Sequence, residues 1–217
     1  MIFFSINRLH KRGGGVALYV KSIHQCKLIQ NMSFSLDNIM ECVTVEIKCE
    51  KSKNVIISCV YRAPGSNIDT FEDKMTEIFN SISNNKHLFV CGDFNIDLLN
   101  PHNQSQITSF INSVFCMGLY PTITHPSRIT VNTATLIDNI LTNVTEGNLT
   151  GGLLISDVSD HLPVFAAFES SAERNYQKET RNLTRKITNV NIENLRKDLW
   201  QQNWTEIYVD DIDKSYE

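Results

Sequence analysis

One stretch, His87 to Leu99 (HLFVCGDFNIDLL), constrains the fold most, because an apolar run ends there in polar side chains. Leu88 to Cys91 is a short run of bulky apolar residues ended by Gly92, which is typical of a buried strand. Asp93 and Asn95 follow, and side chains two apart in an extended segment point the same way. Ligands of α/β proteins usually bind at such a strand end. Gly, Asp and Asn also favour an ordinary turn, so the stretch alone fits both interpretations.

The 217-residue chain has a globular composition, with 41% hydrophobic and 20% charged residues. Its net charge of −4 lacks the basic character of many nucleic-acid-binding proteins, although a divalent cation could offset carboxylates at one site. The six cysteines form no C-x-x-C pair, so we interpret them as reduced, which predicts an intracellular protein. We expect no membrane partner, because the sequence has no signal-peptide core and no run of the roughly 18 apolar residues that a span needs.

The apolar pattern predicts strands interleaved with two helices. Strands are predicted over 16–20, 43–49, 55–61, 87–95, 136–141, 153–155 and 164–168. Helical spacing predicts one helix capped by Asp69 or Thr70, and a second that Gly118 ends. Arg12 to Gly15 predicts a tight turn, because the spacing of phosphate-binding glycine loops is absent. These elements predict an α/β protein of the α+β type, a mixed sandwich rather than a doubly wound sheet.

The amino-acid composition of the chain changes after Glu169. Residues 170–189 are polar, with few large apolar side chains, which is typical of a linker. Residues 191–200 predict one helix, and the chain then continues to an acidic tail. We therefore divide the chain into a domain over 1–169 and a linker with a helical tail over 170–217.

Four regions at strand ends or in strand interruptions carry polar side chains that could do chemistry: Tyr61, Asp93 with Asn95, Asp138, and Asp160 with His161. Carboxylates bind hard cations such as Mg²⁺ through oxygen, and the cation neutralises charge that develops on phosphate oxygens. A histidine exchanges protons near neutral pH, and an aspartate bonded to it fixes its tautomer. The set therefore indicates metal-assisted phosphoryl chemistry.

Each of these residues also has a structural interpretation. Tyr61 could be a packing residue with a solvated hydroxyl, and Asp138 could be a satisfied structural acid. Asp160 and His161 could cap a turn, and Ser156 and Asp157 just upstream have the same composition.

The order of the sequence motifs along the chain distinguishes the chemical interpretation of these residues from the structural one. VYRAP, CGDFN, the T-x-x-D of Thr135 to Asp138, and the SDH of Ser159 to His161 resemble the endonuclease/exonuclease/phosphatase superfamily, which includes deoxyribonuclease I and the AP endonucleases. GDFNIDLL, THPSRIT, TLIDNILTN and SDHLPVF resemble in particular the endonuclease domain of non-LTR retrotransposons. The resemblance runs from about Arg12 to Phe168. The tail resembles the connector that leads toward a reverse transcriptase.

The resemblance implies a four-layer sandwich of two mixed sheets with outer helices. It implies a Mg²⁺ or Mn²⁺ cofactor, which Asp160 would help to bind, and DNA as the substrate, with action in the nucleus.

The resemblance also implies roles for individual side chains. Asp93 would activate or position the attacking water, and Asn95 would orient that water or the phosphate. Asp138 would hydrogen-bond His161, which would contact the scissile phosphate and assist proton transfer. Tyr61 would touch the phosphate.

One departure from the superfamily pattern stands at the N-terminus. An early strand ending in Asn and a later strand ending in a metal-binding Glu should precede Arg12, and the eleven residues there contain neither. Glu41 and Glu46 follow the glycine turn, which is the wrong position for that Glu. We therefore expect a truncated domain with its first strand and helix layer partly missing, exposed apolar surface, and weak or no nuclease activity. The alternatives are a non-catalytic retroelement remnant, or a superfamily phosphatase or phosphodiesterase with another substrate.

Overall fold

The structure, a computed structural model, describes residues 1–8, 13–50, 52–80, 82, 85–100, 104–145, 149–169 and 188–202. The chain divides into two compact units, Met1–Arg174 and Asn175–Glu217. Arg12 of the predicted turn, most of the predicted linker, and the acidic tail lie outside the described residues. None of the helices in the described part of the chain combines the length and apolar character needed to cross a membrane.

The described residues form strands, helices and one turn of 3-10 helix at Gln30–Met32. The strands are β1 (Ile2–Ile6), β2 (Val16–Val20), β3 (Cys26–Leu28), β4 (Phe34–Leu36), β5 (Met40–Ile47), β6 (Val55–Arg62), β7 (His87–Asp93), β8 (Tyr120–Pro121), β9 (Arg128–Ile129), β10 (Ala134–Thr135), β11 (Asp138–Thr142), β12 (Leu149–Leu153) and β13 (Val164–Phe168). The helices are α1 (Ile68–Phe79), α2 (Gln104–Cys116) and, in the second unit, α3 (Asn189–Gln201).

A seven-stranded mixed sheet organises the first unit. Its strands follow the order β3-β5-β6-β7-β11-β8, and β4 pairs with β5 as well. The continuous apolar sequence of β6 predicts a central strand, and β6 does lie between β5 and β7. The β6–β7 pair is parallel and is connected through α1, whereas the neighbouring pairs are antiparallel. The C-terminal ends of β6 and β7, where Tyr61 and Asp93 lie, are therefore side by side at the same edge of the sheet.

Helices α1 and α2 cover one face of this sheet. Four side chains of these helices are fully buried in the same core as apolar side chains of β6 and β7. The helix residues are Phe71, Met75, Phe110 and Val114, and the strand residues are Ile56, Val60, Leu88 and Val90. The predicted caps of α1 are wrong. The helix begins at Ile68, and the side chain of Asn67 accepts the Thr70 backbone N–H at 2.8 Å. Thr70 therefore supplies the donor to the cap.

Two hairpins, β1–β2 and β12–β13, pack on the opposite face. Leu149, Val164 and Phe168 of the second hairpin pack against a buried apolar cluster that contains Phe89 and Ile140 of the sheet. The predicted α/β sandwich is therefore confirmed, with helices, a large sheet and a hairpin layer. Among the described residues the two hairpins do not pair with each other, and no helix of the first unit covers them.

Two strands differ most from their predicted bounds, whereas the other predicted strands differ by two residues or fewer at either end. The strand predicted over 43–49 is Met40–Ile47, so Glu41 lies inside it and is fully buried. The strand predicted over 153–155 is Leu149–Leu153, although it contains two glycines that disfavour strands by propensity. A Cβ at Gly151 would lie 2.8 Å from the Thr122 carbonyl oxygen, so this strand approaches a neighbouring backbone closely. In both cases a tertiary contact overrides the local pattern.

Candidate functional site

One row of register partners crosses the sheet at the edge where β6 and β7 end. Glu41 of β5 is opposite Tyr61 of β6, Tyr61 is opposite Asp93 of β7, and Asp93 is opposite Asp138 of β11. Register partners on adjacent strands present their side chains to the same face of a sheet. The structure therefore brings together three predicted site residues, Tyr61, Asp93 and Asp138, and adds Glu41.

His161 joins this row through Asp138. Its Nδ1 atom lies 2.9 Å from Oδ2 of Asp138, and both side chains are partly buried. The backbone of His161 forms an isolated bridge with Arg128, and its N–H donates to Oγ of Ser159 at 3.1 Å. The histidine thus lies beside the aspartate that the sequence analysis paired with it.

A buried serine holds Asp138 in place. Oγ of Ser127 donates to Oδ2 of Asp138 at 2.9 Å and accepts the N–H groups of Ile137 and Asp138 at 3.1 and 2.8 Å. Ser127 is fully buried, and its N–H donates to the Thr135 carbonyl at 2.9 Å. Sequence reasoning missed this role, although Ser127 belongs to the THPSRIT segment that carries part of the resemblance.

The Asp93–Asn95 segment is both a turn and a site. The backbone N–H of Asn95 donates to Oδ1 of Asp93 at 2.9 Å, and Asn95 has a left-handed φ of 47°, which asparagine tolerates. Nδ2 of Asn95 donates to the Arg62 carbonyl at 2.8 Å, and Nη1 of Arg62 returns a bond to the Asn95 carbonyl at 2.9 Å. The two interpretations of this stretch are therefore compatible, because the turn orients the carboxylate.

Burial shapes the chemistry of Asp93. Desolvation raises the pKa of its carboxyl, the Asn95 N–H opposes that shift, and the neighbouring Asp138 adds to it. Gly92, immediately before it, has a φ of 154°, and a Cβ there would lie 1.7 Å from the Val60 carbonyl oxygen. Only glycine fits at that point, so β7 lies against β6 directly before the carboxylate.

The carboxylate of Asp160, which is predicted to bind the metal, is paired with an arginine side chain. Its Oδ2 accepts from Nε of Arg128 at 2.8 Å, and the two side chains are 44% and 43% exposed. The guanidinium lowers the pKa of the Asp160 carboxyl. Metal binding by Asp160 remains a prediction.

Three side chains within the described residues lie close enough to share a metal ion. Asp93, Asp138 and His161 each offer one ligand atom, and these atoms lie within 4.8 Å of one another. Carboxylate oxygens suit Mg²⁺ and Mn²⁺, and an imidazole suits several transition metals. The donor set therefore fits a divalent cation.

Comparison with known families and structures gives this geometry a context. A family model described as endonuclease-reverse transcriptase matches residues 55–165, a little more than half of the chain. The chain belongs to this family. The predicted membership of the endonuclease/exonuclease/phosphatase superfamily is thereby confirmed, and the matched residues include Tyr61, Asp93, Asn95, Asp138, Asp160 and His161. A comparison with curated protein sequences finds no match.

Solved structures share the fold at low sequence identity. The endonuclease domain of TRAS1, a telomere-specific non-LTR retrotransposon, is 12% identical over 76% of this chain and 77% of its own, with a TM-score of 0.57. An endonuclease/exonuclease/phosphatase family protein from Leptotrichia buccalis is 16% identical over 77% of this chain and 70% of its own, with a TM-score of 0.53. At these identities the similarity establishes the fold of this endonuclease-reverse transcriptase family member.

Proposed function

We propose that this chain is a weakly active, divalent-metal-dependent phosphodiester hydrolase domain that nicks DNA. The observation that carries the proposal is the group of Asp93, Asp138 and His161, whose ligand atoms lie within 4.8 Å of one another at the end of the central strands. Membership of an endonuclease-reverse transcriptase family and the similarity to a retrotransposon endonuclease domain support the same reaction.

His161 is the proposed proton-transfer group. Because its Nδ1 atom bonds Asp138, Nε2 is the ring nitrogen left to contact a phosphate oxygen and to donate or accept a proton. Ser127 bonds the same carboxylate oxygen, so the aspartate is held by two partners. This arrangement fixes the tautomer of the imidazole and the direction in which its proton points.

Asp93 is the proposed residue that positions the attacking water and accepts its proton. Burial raises the pKa of this carboxyl, which makes the carboxylate a stronger base than a fully solvated aspartate. Asn95 is proposed to orient the water or the phosphate, and Tyr61, the register partner of Asp93, to contact a phosphate oxygen.

The proposed cofactor is Mg²⁺ or Mn²⁺. Asp93 and Asp138 are the side chains that would hold it, and the resemblance adds Asp160. When bound, a divalent cation neutralises charge that develops on the phosphate oxygens. It would also offset the two carboxylates that face each other across β7 and β11.

DNA is the proposed substrate, and we propose action in the nucleus on the strength of the retrotransposon resemblance. The net charge of −4 means that local groups must attract the phosphate backbone. Arg128, which is 43% exposed beside Asp160, is one such group.

A plasmid-nicking assay with Mg²⁺ or Mn²⁺ tests the proposal. We expect Asp93→Ala and His161→Ala each to abolish most of the nicking, and Asp157→Asn to leave it unchanged, because Asp157 is exposed and outside the metal-ligand group. Equal nicking by the wild type and both alanine variants would contradict the assignment. Absence of nicking by a folded wild-type chain would favour a non-catalytic retroelement remnant. Hydrolysis confined to a phosphoinositide, sphingomyelin or RNA in a substrate panel would favour a superfamily member with another substrate.

A further inference from the structure

We propose that Glu41 and Arg8 are positioning residues that hold Tyr61 in place beside Asp93, its neighbour in the register row. This inference rests on the proposed function, because Tyr61 matters only if a phosphate binds beside Asp93. Neither Glu41 nor Arg8 belongs to the residues that the superfamily resemblance assigned.

Glu41 is a fully buried residue whose carboxylate accepts hydrogen bonds from three N–H groups. Nε of Arg8 donates to Oε1 at 2.5 Å and Nη2 of Arg8 donates to Oε2 at 3.2 Å, so the guanidinium binds both oxygens. The backbone N–H of Gly15 donates to Oε2 at 3.4 Å. A buried charge is costly unless it is paired and hydrogen-bonded, and the planar fork of arginine matches a carboxylate.

The glycine turn leaves room for this guanidinium. Gly13, Gly14 and Gly15 all have positive φ values, of 88°, 82° and 100°. A Cβ at Gly14 would lie 2.7 Å from both Cζ and Nε of Arg8. The sequence GGG therefore does more than reverse the chain, because its second glycine lies directly against the arginine that binds Glu41.

The other side of the guanidinium faces Tyr61. Cζ of Arg8 lies 5.5 Å from the centroid of the Tyr61 ring, which is within the range of a cation–π contact. Tyr61 is the register partner of both Glu41 and Asp93. A chain of contacts thus runs from the buried Glu41 through Arg8 to the ring whose hydroxyl is proposed to contact the phosphate.

A second buried glutamate on the same strand provides a matched control. Glu46 is 4% exposed, and its carboxylate is bound by Nζ of Lys27 at 3.0 Å and Nζ of Lys86 at 2.8 Å. It is opposite Ile56 in the register, at the other end of β5 and β6 from Tyr61. Glu41→Gln and Glu46→Gln therefore remove the same charge from two carboxylates that are both almost fully buried, but only the first touches the proposed site.

The first measurement is fluorine NMR of the full chain labelled with 3-fluorotyrosine, with the Tyr61 resonance assigned by Tyr61→Phe. We expect Glu41→Gln and Arg8→Lys to shift or broaden the Tyr61 resonance, and Glu46→Gln to leave it in place. Arg8→Lys keeps the charge but loses the fork, so it tests the geometry in a chain that retains a cation. An unchanged Tyr61 resonance in both variants would overturn the proposal.

The second measurement is the nicking rate at saturating plasmid. We expect Glu41→Gln and Arg8→Lys to lower kcat by about 10- to 100-fold, as misplacement of a site group does. In a Tyr61→Phe background we expect Glu41→Gln to change kcat by less than about threefold, because residues that act through one group are not additive. An undiminished loss in that background would overturn the role through Tyr61.

If the folded wild-type chain does not nick DNA, the hydrolase proposal and the positioning proposal can still be tested separately. The proposed hydrolase function would then fail, and the positioning role would still be decided by the Tyr61 resonance and by the affinity for a fluorescein-labelled DNA duplex in EDTA. We expect Glu41→Gln to weaken that affinity and Glu46→Gln to leave it unchanged. Equal affinities, like an unmoved resonance, would overturn the positioning role.

Discussion

The Nδ1 atom of His161 lies 2.9 Å from Oδ2 of Asp138, although 23 positions separate the two residues in sequence. Oγ of Ser127 donates to the same carboxylate oxygen at 2.9 Å. The imidazole is therefore oriented by a carboxylate that is itself held in place, an arrangement that suits a histidine for general acid–base catalysis.

Asp138→Asn is expected to lower nicking by about 10²- to 10⁴-fold, because the amide favours the wrong tautomer of His161. The rate of plasmid nicking by Asp138→Asn, His161→Ala and the double variant checks this. We expect the double variant to be scarcely slower than His161→Ala, since the two residues act as a unit. Fully additive losses would show that they act independently.

Ser127→Ala is expected to lower the free energy of unfolding by about 1–3 kcal/mol, because two backbone N–H groups and a carboxylate oxygen lose a buried partner. Urea unfolding measures this loss. Ser113→Ala is the control, since Oγ of Ser113 donates to Oε2 of Glu72 between the two helices at 2.9 Å. Both variants should be destabilised, and only Ser127→Ala should also lose nicking beyond what its unfolded fraction explains.

Asp160→Asn is expected to raise the Mg²⁺ concentration for half-maximal nicking by about tenfold, if the carboxylate reaches the cation as the resemblance implies. Its free energy of unfolding should scarcely change, because the pair with Arg128 is exposed. Asp157→Asn provides a control of the same charge and chemistry. Identical Mg²⁺ dependence in the two variants would remove Asp160 from the metal site.

The stability of the wild-type chain is expected to fall more steeply in acid than that of Glu46→Gln. Bonds from Lys86 first, and then from Asn54 and Lys27, lower the pKa of Glu46 from 4.5 to about 2. Because the folded chain binds this proton more weakly than the unfolded chain, the contribution is present above pH 4.5 and is lost as the pH falls toward about 2. Urea unfolding across that range checks the difference, and parallel stability curves would contradict it.

Gly92→Ala is expected to lower the free energy of unfolding by about 3 kcal/mol or more, because the added Cβ would lie 1.7 Å from the Val60 carbonyl oxygen. Gly118→Ala is the comparison, since Gly118 has a φ of 69° and open space around it. Backbone strain alone should cost that variant about 1–2 kcal/mol. Thermal unfolding of both variants measures the difference, and similar losses would contradict a steric role for Gly92.

The sequence alone determined the elements that carry a strong local pattern. The continuous apolar run of β6, the run of β7 that ends at Gly92, and the amphipathic helices α1 and α2 follow from side-chain periodicity. The motifs that contain Tyr61, Asp93, Asp138 and His161, taken in their order along the chain, resemble the endonuclease/exonuclease/phosphatase superfamily closely enough to predict it.

Only the tertiary structure decided which partners the polar groups take. Glu41 can be buried in β5 because Arg8, 33 positions away, neutralises it, and a local pattern contains no sign of that pair. Ser127 donates to Asp138, 11 positions away, and Arg128 donates to Asp160, 32 positions away, because folding brings these segments together. Periodicity reports which side of an element is buried, whereas the pairing of charges depends on distances that arise only when the sheet is assembled.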